Sequence, residues 1–246
     1  MKALVLSEHG DLDKLGLVKD KPVQQPGDGE VLVRVGASSF NYHDIFTVRG
    51  MPGIRVPLPV VIGLDIAGTV VEDAGEWKAG DRVMVNPLRA GIGLMGEMVD
   101  GGMEEYVVVS ADQLFRIPDN VSFHQAAALP VAYGTAHRML ITHNTVRPGD
   151  RVLILGASGG VGTASIIIAK MLGAEVIACG GSDEKCARLK ELGADYTINY
   201  NTTDFVKYVY AQYGKPQRRT FDGGVDVLIN YTGGDTWAKS LKAVKR

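Results

Sequence analysis

Cysteine is almost missing from this chain, with only Cys179 and Cys186 among 246 residues. Two cysteines cannot build a disulfide framework, so a stapled secreted scaffold is excluded and a reducing, cytoplasmic setting is expected. Basic runs are missing too. A formal net charge of −2 gives no support to nucleic-acid binding or to an anionic membrane surface. No apolar run approaches the roughly 20 residues that span a bilayer, and the apolar start Met1-Lys-Ala-Leu-Val-Leu is too short for a signal-peptide core. Internal repeats and low-complexity segments are absent. What remains is 46% hydrophobic and 22% charged, ordinary for a soluble globular enzyme. The length suits one large or two medium domains, each able to bury a core.

The most informative stretch runs from Arg151 to Lys190. Val152 to Leu155 is a short apolar run that reads as a buried strand. A glycine turn, Gly156-Ala-Ser158-Gly159-Gly160-Val161-Gly162, leads into Thr163 to Leu172, which has good helical character and no Pro or Gly. Gly173 ends that helix, and Glu175 to Cys179 reads as a second strand. Together these pieces make one βαβ unit. Its turn, bare of side chains, lets backbone approach a pyrophosphate whose charge the helix dipole favours. The alternative is an ordinary tight turn, but its place between strand and helix favours a dinucleotide site.

The end of the second strand bears on which dinucleotide. Folds that prefer the cofactor without a 2′-phosphate place an Asp or Glu there to hold the ribose hydroxyls. This strand ends instead in Cys179-Gly180-Gly181-Ser182, with no acid before Asp183. Small residues leave room for a phosphate, Ser182 can donate to it and Lys185 can supply charge. The expected cofactor is NADP(H).

Residues 1 to about 120 read as β-rich, with short alternating strands such as Glu30 to Gly36 separated by Gly, Pro and Asp turns. Such spacing suggests a barrel or sandwich. The segment from Asn86 to Gly102 is Gly- and Met-rich, and its length suggests either a lid or binding segment or poor order. From residue 121 the pattern turns α/β, with helices expected from Ser122, over Thr135 to Ile141, over Lys185 to Leu192 and over Asp204 to Tyr213. Tyr196 to Asn199 and Val225 to Asn230 read as further strands. In an open parallel sheet the ligand lies at the carboxyl ends of the strands, which places Thr232 and Gly233 beside the cofactor. A final helix is expected over Asp235 to Val244.

Several segments then resemble the medium-chain dehydrogenase/reductase superfamily, in its zinc-free quinone oxidoreductase-like and enoyl-thioester reductase branches. They are Gly36-Ala-Ser-Ser-Phe-Asn-Tyr-His-Asp44, Pro59-Val-Val-Ile-Gly-Leu-Asp-Ile-Ala-Gly68, Trp77 to Val83, Ala127 to Ala136, the Gly156 to Gly162 turn and Leu192-Gly-Ala-Asp195. The resemblance implies an N-terminal GroES-like β-barrel domain over 1–120 and a Rossmann-type domain with a parallel sheet over 121–246, with the active site in the cleft between them. It implies a small-molecule substrate and a possible homodimer. Members of the superfamily run about a hundred residues longer, so the Rossmann domain is expected to be incomplete.

Zinc-dependent relatives hold a catalytic zinc at positions that match Asn41, Leu64 and Val131 here, and none of these offers a thiolate, imidazole or carboxylate. Their four-cysteine structural lobe has no counterpart. His43 and Asp65 are substitutes at most, and two ligands do not make a site, so no metal is expected. The substrate carbonyl must then be polarised by hydrogen-bond donors. By the resemblance these are Asn41 and Tyr42, with His43 as an alternative proton donor; packing or capping is the plainer reading for all three. Thr135 resembles a threonine that meets the nicotinamide, and Tyr200 a tyrosine near the 2′-phosphate. His9, His124, His137 and His143 are expected to be surface or structural, and Met95, Met98 and Met103 loop filler. The function implied is NADPH-dependent, metal-free hydride transfer to a quinone or an α,β-unsaturated carbonyl or thioester. A zinc-type alcohol dehydrogenase and a non-catalytic NADPH-binding protein are the alternatives.

Overall fold

A computed structural model describes residues 1–245, which form two compact units, Met1–Val131 and the residues from Ala132 onward. In the first, strand β1 (Ala3–Leu6) pairs with β2 (Leu15–Val18). The long strand β3 (Glu30–Ser39) leads to helix α1 (Tyr42–Arg49), then β4 (Val60–Val61), β5 (Asp65–Val70) and β6 (Arg82–Val85). A small hairpin, β7 (Leu88–Arg89) and β8 (Gly93–Leu94), precedes β9 (Tyr106–Ser110), β10 (Leu114–Arg116) and helix α2 (Phe123–Ala127). The strands form antiparallel sheets of order β2-β1-β4 and β10-β6-β5-β3-β9. Val31, Val33, Val83, Val85, Val107 and Val109 turn inward at alternate positions and build the core of this unit with Trp77.

By its contacts the first unit runs on past residue 120 to Val131, and the reason is steric. The ring of Phe123 lies against the backbone of β3 at Gly36, where a Cβ would come within 2.6 Å of it. The Arg82 guanidinium sits over the same ring at 4.9 Å and donates to the carbonyl oxygens of Pro118 and Val121. Helix α2, capped by Ser122 as the sequence suggests, is thereby pinned to the antiparallel sheet.

The Asn86 to Gly102 segment, expected as a lid or binding segment or as poorly ordered, is tied down by its own backbone contacts. It contains the β7–β8 hairpin, and backbone N–H groups of Gly101 and Gly102 donate to Val61 and Gly63 at 2.8 Å. Gly96 adopts φ +70° and packs on the backbone of Gly63 so closely that a Cβ would meet Gly63 N at 2.7 Å. Met95, expected as filler, is fully buried in the core of the unit.

The second unit opens with α3 (Ala132–His137), which continues as a single π-helical turn over Arg138–Thr142. Then follow β11 (Arg151–Leu155), α4 (Gly160–Met171), β12 (Glu175–Gly180), α5 (Asp183–Glu191), β13 (Tyr196–Asn199), α6 (Phe205–Tyr213), β14 (Val227–Asn230) and α7 (Thr236–Ser240). The four strands form one parallel sheet of order β13-β12-β11-β14. Being covered on both faces, β11 reads as continuous apolar sequence. Val152 and Ile154 face the cluster that includes Ile166 and Ala169 of α4, while Leu153 and Leu155 face the cluster with Val206 and Val209 of α6.

Candidate active site and cofactor cradle

Strand order reverses at β11, with β12 on one side and β14 on the other, which opens a crevice at the carboxyl ends of the strands. A cavity of about 410 Å³ lies there, lined by Gly156, Cys179, Tyr200, Phe205, Thr232 and Lys239 among others. The sequence anticipated Tyr200 and Thr232 at this place; Phe205 and Lys239 it did not. Lys239 is held by Asp204 at 2.8 Å and stands over the Phe205 ring. Thr232 donates through its N–H and hydroxyl to Asn230 Oδ1, and the Gly233 N–H donates to the same oxygen, so the turn after β14 is rigid.

Two kinds of glycine make up the turn after β11. At Gly162 a Cβ would meet Gly156 O at 2.5 Å and the Ala157 backbone at 2.7 Å, so helix α4 approaches β11 only because this residue is bare. Gly156 itself takes φ +76°. Gly159, the N-cap of α4, is different: a Cβ there would meet nothing closer than Gly156 O at 3.6 Å. The chain's own packing does not require glycine at 159, whereas a diphosphate lying against the backbone does. Ser158, Gly159 and Gly160 are exposed and Val161 is half-buried, with the first N–H groups of α4 beside them. These residues fit a dinucleotide diphosphate.

At the end of β12, Gly181 lies against Tyr200, whose hydroxyl a Cβ at 181 would meet at 2.5 Å. The Asn201 amide donates to Gly181 O at 2.7 Å. Ser182 caps α5 by accepting from the Lys185 N–H, which leaves its own O–H hydrogen free to donate. Among the described residues Lys185 makes no ion pair. The Cys179 thiol beneath this turn is pushed up to about 12, by burial first and then by the neighbouring Cys186. Thr135 is exposed on α3.

In the first unit, Asn41 is the N-cap of α1, and its N–H donates to Asp44 Oδ2 at 2.7 Å. Its side-chain amide donates to Asp65 Oδ2 at 2.8 Å, so one of its two amide hydrogens is already used. Asp65 also accepts from Ser39 Oγ and the Val131 N–H, and burial raises its pKa in spite of these three donors. Asp44 is equally buried, its pKa is raised mainly by desolvation, and its Oδ1 has no hydrogen-bond partner among the described residues. Tyr42 is exposed, edge-on to Phe46 with ring centroids 5.1 Å apart. His43 Nε2 and Glu97 Oε2 are hydrogen-bonded at 2.6 Å. Glu97 was missed by the sequence reading, although a lone acid within Leu94-Met-Gly-Glu-Met-Val99 is the kind of residue that needs a partner.

The three positions that match the zinc ligands of the zinc-dependent relatives offer no metal donor. Leu64 is buried and apolar, Val131 contributes only a backbone donor to Asp65, and Asn41 is bound to the same acid. No group of three or more His, Cys, Asp or Glu among the described residues is placed to hold a metal ion. No described helix is long and apolar enough to cross a membrane.

An antiparallel β-rich unit followed by a parallel dinucleotide-type sheet is the architecture of the two-domain dehydrogenases. Residues 27–119 match the alcohol dehydrogenase GroES-like domain and residues 160–246 the zinc-binding dehydrogenase family. The mouse synaptic vesicle membrane protein VAT-1 homolog is 34% identical over all of this chain and 57% of its own length. Mouse quinone oxidoreductase is 30% identical over 98% of this chain and 70% of its own. Among solved structures, an NAD-dependent alcohol dehydrogenase superposes with TM-score 0.90 at 36% identity, over 100% of this chain and 75% of that one. Escherichia coli quinone oxidoreductase complexed with NADPH gives 0.85 at 27%, over 100% and 71%. The chain belongs to the medium-chain dehydrogenase/reductase superfamily, in its quinone oxidoreductase-like branch. It spans little more than half the length of the VAT-1 relatives.

Proposed function

We propose that this protein is an NADPH-dependent, metal-independent oxidoreductase that reduces a quinone or an α,β-unsaturated carbonyl or thioester. The carrying observation is the bare backbone at Gly159, a glycine that internal packing does not demand, at the foot of α4 beside the Gly162 contact. NADPH, when bound, supplies the hydride from C4 of its nicotinamide. Ser158, Gly159, Gly160, Val161 and Gly162 would hold the diphosphate, and Thr232 and Gly233 would close the crevice beside the cofactor. Thr135 would meet the nicotinamide. Gly181, Ser182, Lys185 and Tyr200 would receive the 2′-phosphate, a reading supported by the absence of an acid at the end of β12 and by the NADPH held in the E. coli relative's structure. Asn41 and Tyr42 would donate to the oxyanion that develops on the acceptor, with His43 beside them. Asn41, Leu64 and Val131 at the positions of the zinc ligands support chemistry without metal. The buried free thiols of Cys179 and Cys186 suit a reducing, cytoplasmic setting.

The alcohol dehydrogenase alternative draws support from the NAD-dependent structural relative, so one assay addresses both readings. Chelator-washed protein is followed at the NADPH absorbance band against quinones, enones, enoyl thioesters and aldehydes. Consumption with at least one conjugated acceptor, unchanged by added zinc, is expected. Turnover only of aldehydes and only with zinc would reverse the assignment, and equal affinity for NADH and NADPH would remove the cofactor preference.

A further inference from the structure

Glu97 sits in an apolar turn, 5% exposed, and its only hydrogen-bond partner among the described residues is His43. The turn that carries it is rigid. Met95 on one side is locked in the core, Gly96 is pressed on Gly63, and the Gly96 N–H donates to Val99 O at 2.8 Å. His43 sits in the first turn of α1, next to Asn41, with about a quarter of its side chain open to solvent. One end of the pair is therefore fixed and dry, and the other faces outward.

Building a carboxylate into such a place costs free energy unless it is matched by a donor. Among the described residues no other histidine meets a carboxylate: His9 Nδ1 reaches the Thr47 carbonyl oxygen at 3.0 Å and His137 reaches Thr142 Oγ1 at 3.5 Å. An ionised carboxylate only accepts, so Nε2 of His43 carries the hydrogen it donates and the ring is held in one tautomer and one orientation. Nδ1 is then the atom that exchanges a proton with whatever stands before it.

We infer, on the reductase reading above, that His43 is the proton donor of this site through Nδ1 and that Glu97 is its positioning residue. Two-electron reduction of the acceptor by hydride leaves an enolate or hydroquinone anion and requires one proton per turnover. The Nδ1–H bond of the imidazolium breaks as the new C–H or O–H bond of the product forms, and the neutral ring regains its proton from solvent. The Nε2–H···Glu97 bond persists throughout and keeps the ring aimed.

The test joins a spectrum to kinetics. Long-range ¹H–¹⁵N correlation of uniformly ¹⁵N-labelled protein, near neutral pH, is expected to show His43 with hydrogen on Nε2. In Glu97→Gln it becomes a tautomer mixture, with the other four histidines unchanged. His43→Ala is expected to lower kcat of acceptor reduction by about 10²–10⁴-fold and Glu97→Gln by about 10–100-fold, with NADPH affinity measured by fluorescence unaltered in both. The double variant should be no slower than His43→Ala alone, because Glu97 acts only through the ring. A neutral ring with its hydrogen on Nδ1 in the wild type, or a Glu97→Gln loss that is just as large without His43, overturns the inference; the wild-type spectrum decides even where a variant folds poorly. An Nε2–H ring in a protein that reduces no acceptor sinks the reductase reading and the proton-donor role together.

Discussion

Glu104 is a perturbed carboxylate: burial lifts it from the usual range to about 7, although Lys21 Nζ lies 2.7 Å away. Lys21 is shared with Asp100 at 3.0 Å, so a single cation serves two acids and offsets the desolvation only in part. The folded state therefore binds a proton at Glu104 at a pH where the unfolded chain, at about 4.3, has released it. Stability from this group is present below the unfolded value and declines as pH rises through about 7. The loss is on the order of 1–2 kcal/mol after allowance for the partial solvent access of the site. Thermal melts at pH 5.5 and pH 8 measure it: wild type is expected to lose stability across that interval, and Glu104→Gln to lose less. An equal pH dependence in the two proteins would assign it to other groups. None of this was visible in the sequence, since Lys21 and Glu104 are 83 residues apart and no local pattern links them.

Elements differ in how far the chain announced them. The βαβ unit was legible because its signals are local: an apolar run, a glycine turn, a helix closed by Gly173 and a second apolar run, all within thirty residues. Helix α4 nonetheless begins at Gly160 rather than Thr163, because the sequence shows glycine without showing that Gly160 and Gly162 sit in its first turn. Loop 86–102 was illegible because its order comes from backbone pressed on backbone at Gly63, which residue types do not reveal. Likewise the hold of α2 on Gly36 was illegible, since it is a long-range contact of one phenyl ring. The same distinction between internal and external reasons for glycine gives a prediction. Gly162→Ala places a methyl within 2.5 Å of Gly156 O and is expected to cost about 1–3 kcal/mol in urea unfolding together with NADPH affinity. Gly159→Ala meets only Gly156 O, at an ordinary contact distance of 3.6 Å, and is expected to change stability by about 1 kcal/mol or less, while NADPH affinity by fluorescence titration falls at least tenfold. If Gly159→Ala binds NADPH as wild type does, the backbone at 159 is not where the diphosphate lies.

At the scale of the molecule, the second unit holds its sheet between two apolar clusters, one toward α4 and one toward α6, and β11 belongs to both. A ligand seated at the carboxyl ends of β11, β12 and β14 thus touches the turns that leave the most buried strands of the unit. Binding to the native state alone raises the free energy of opening by RT ln(1 + [L]/Kd), about 2.7 kcal/mol at a hundredfold excess over Kd. Amide hydrogen exchange reads this segment by segment. At saturating NADPH, the strands Arg151–Leu155, Glu175–Gly180 and Val227–Asn230 are expected to exchange about a hundredfold more slowly wherever exchange requires the unit to open. The turns 156–162, 180–185 and 231–234 should gain protection as well, because a bound nucleotide covers them. The two effects separate specific from adventitious binding: a ligand resting on some other surface would slow the strands through mass action but leave the turns as they were. Unchanged turns at saturation would place the nucleotide away from the α4 cradle, and with it the whole assignment of Gly159 to Gly162.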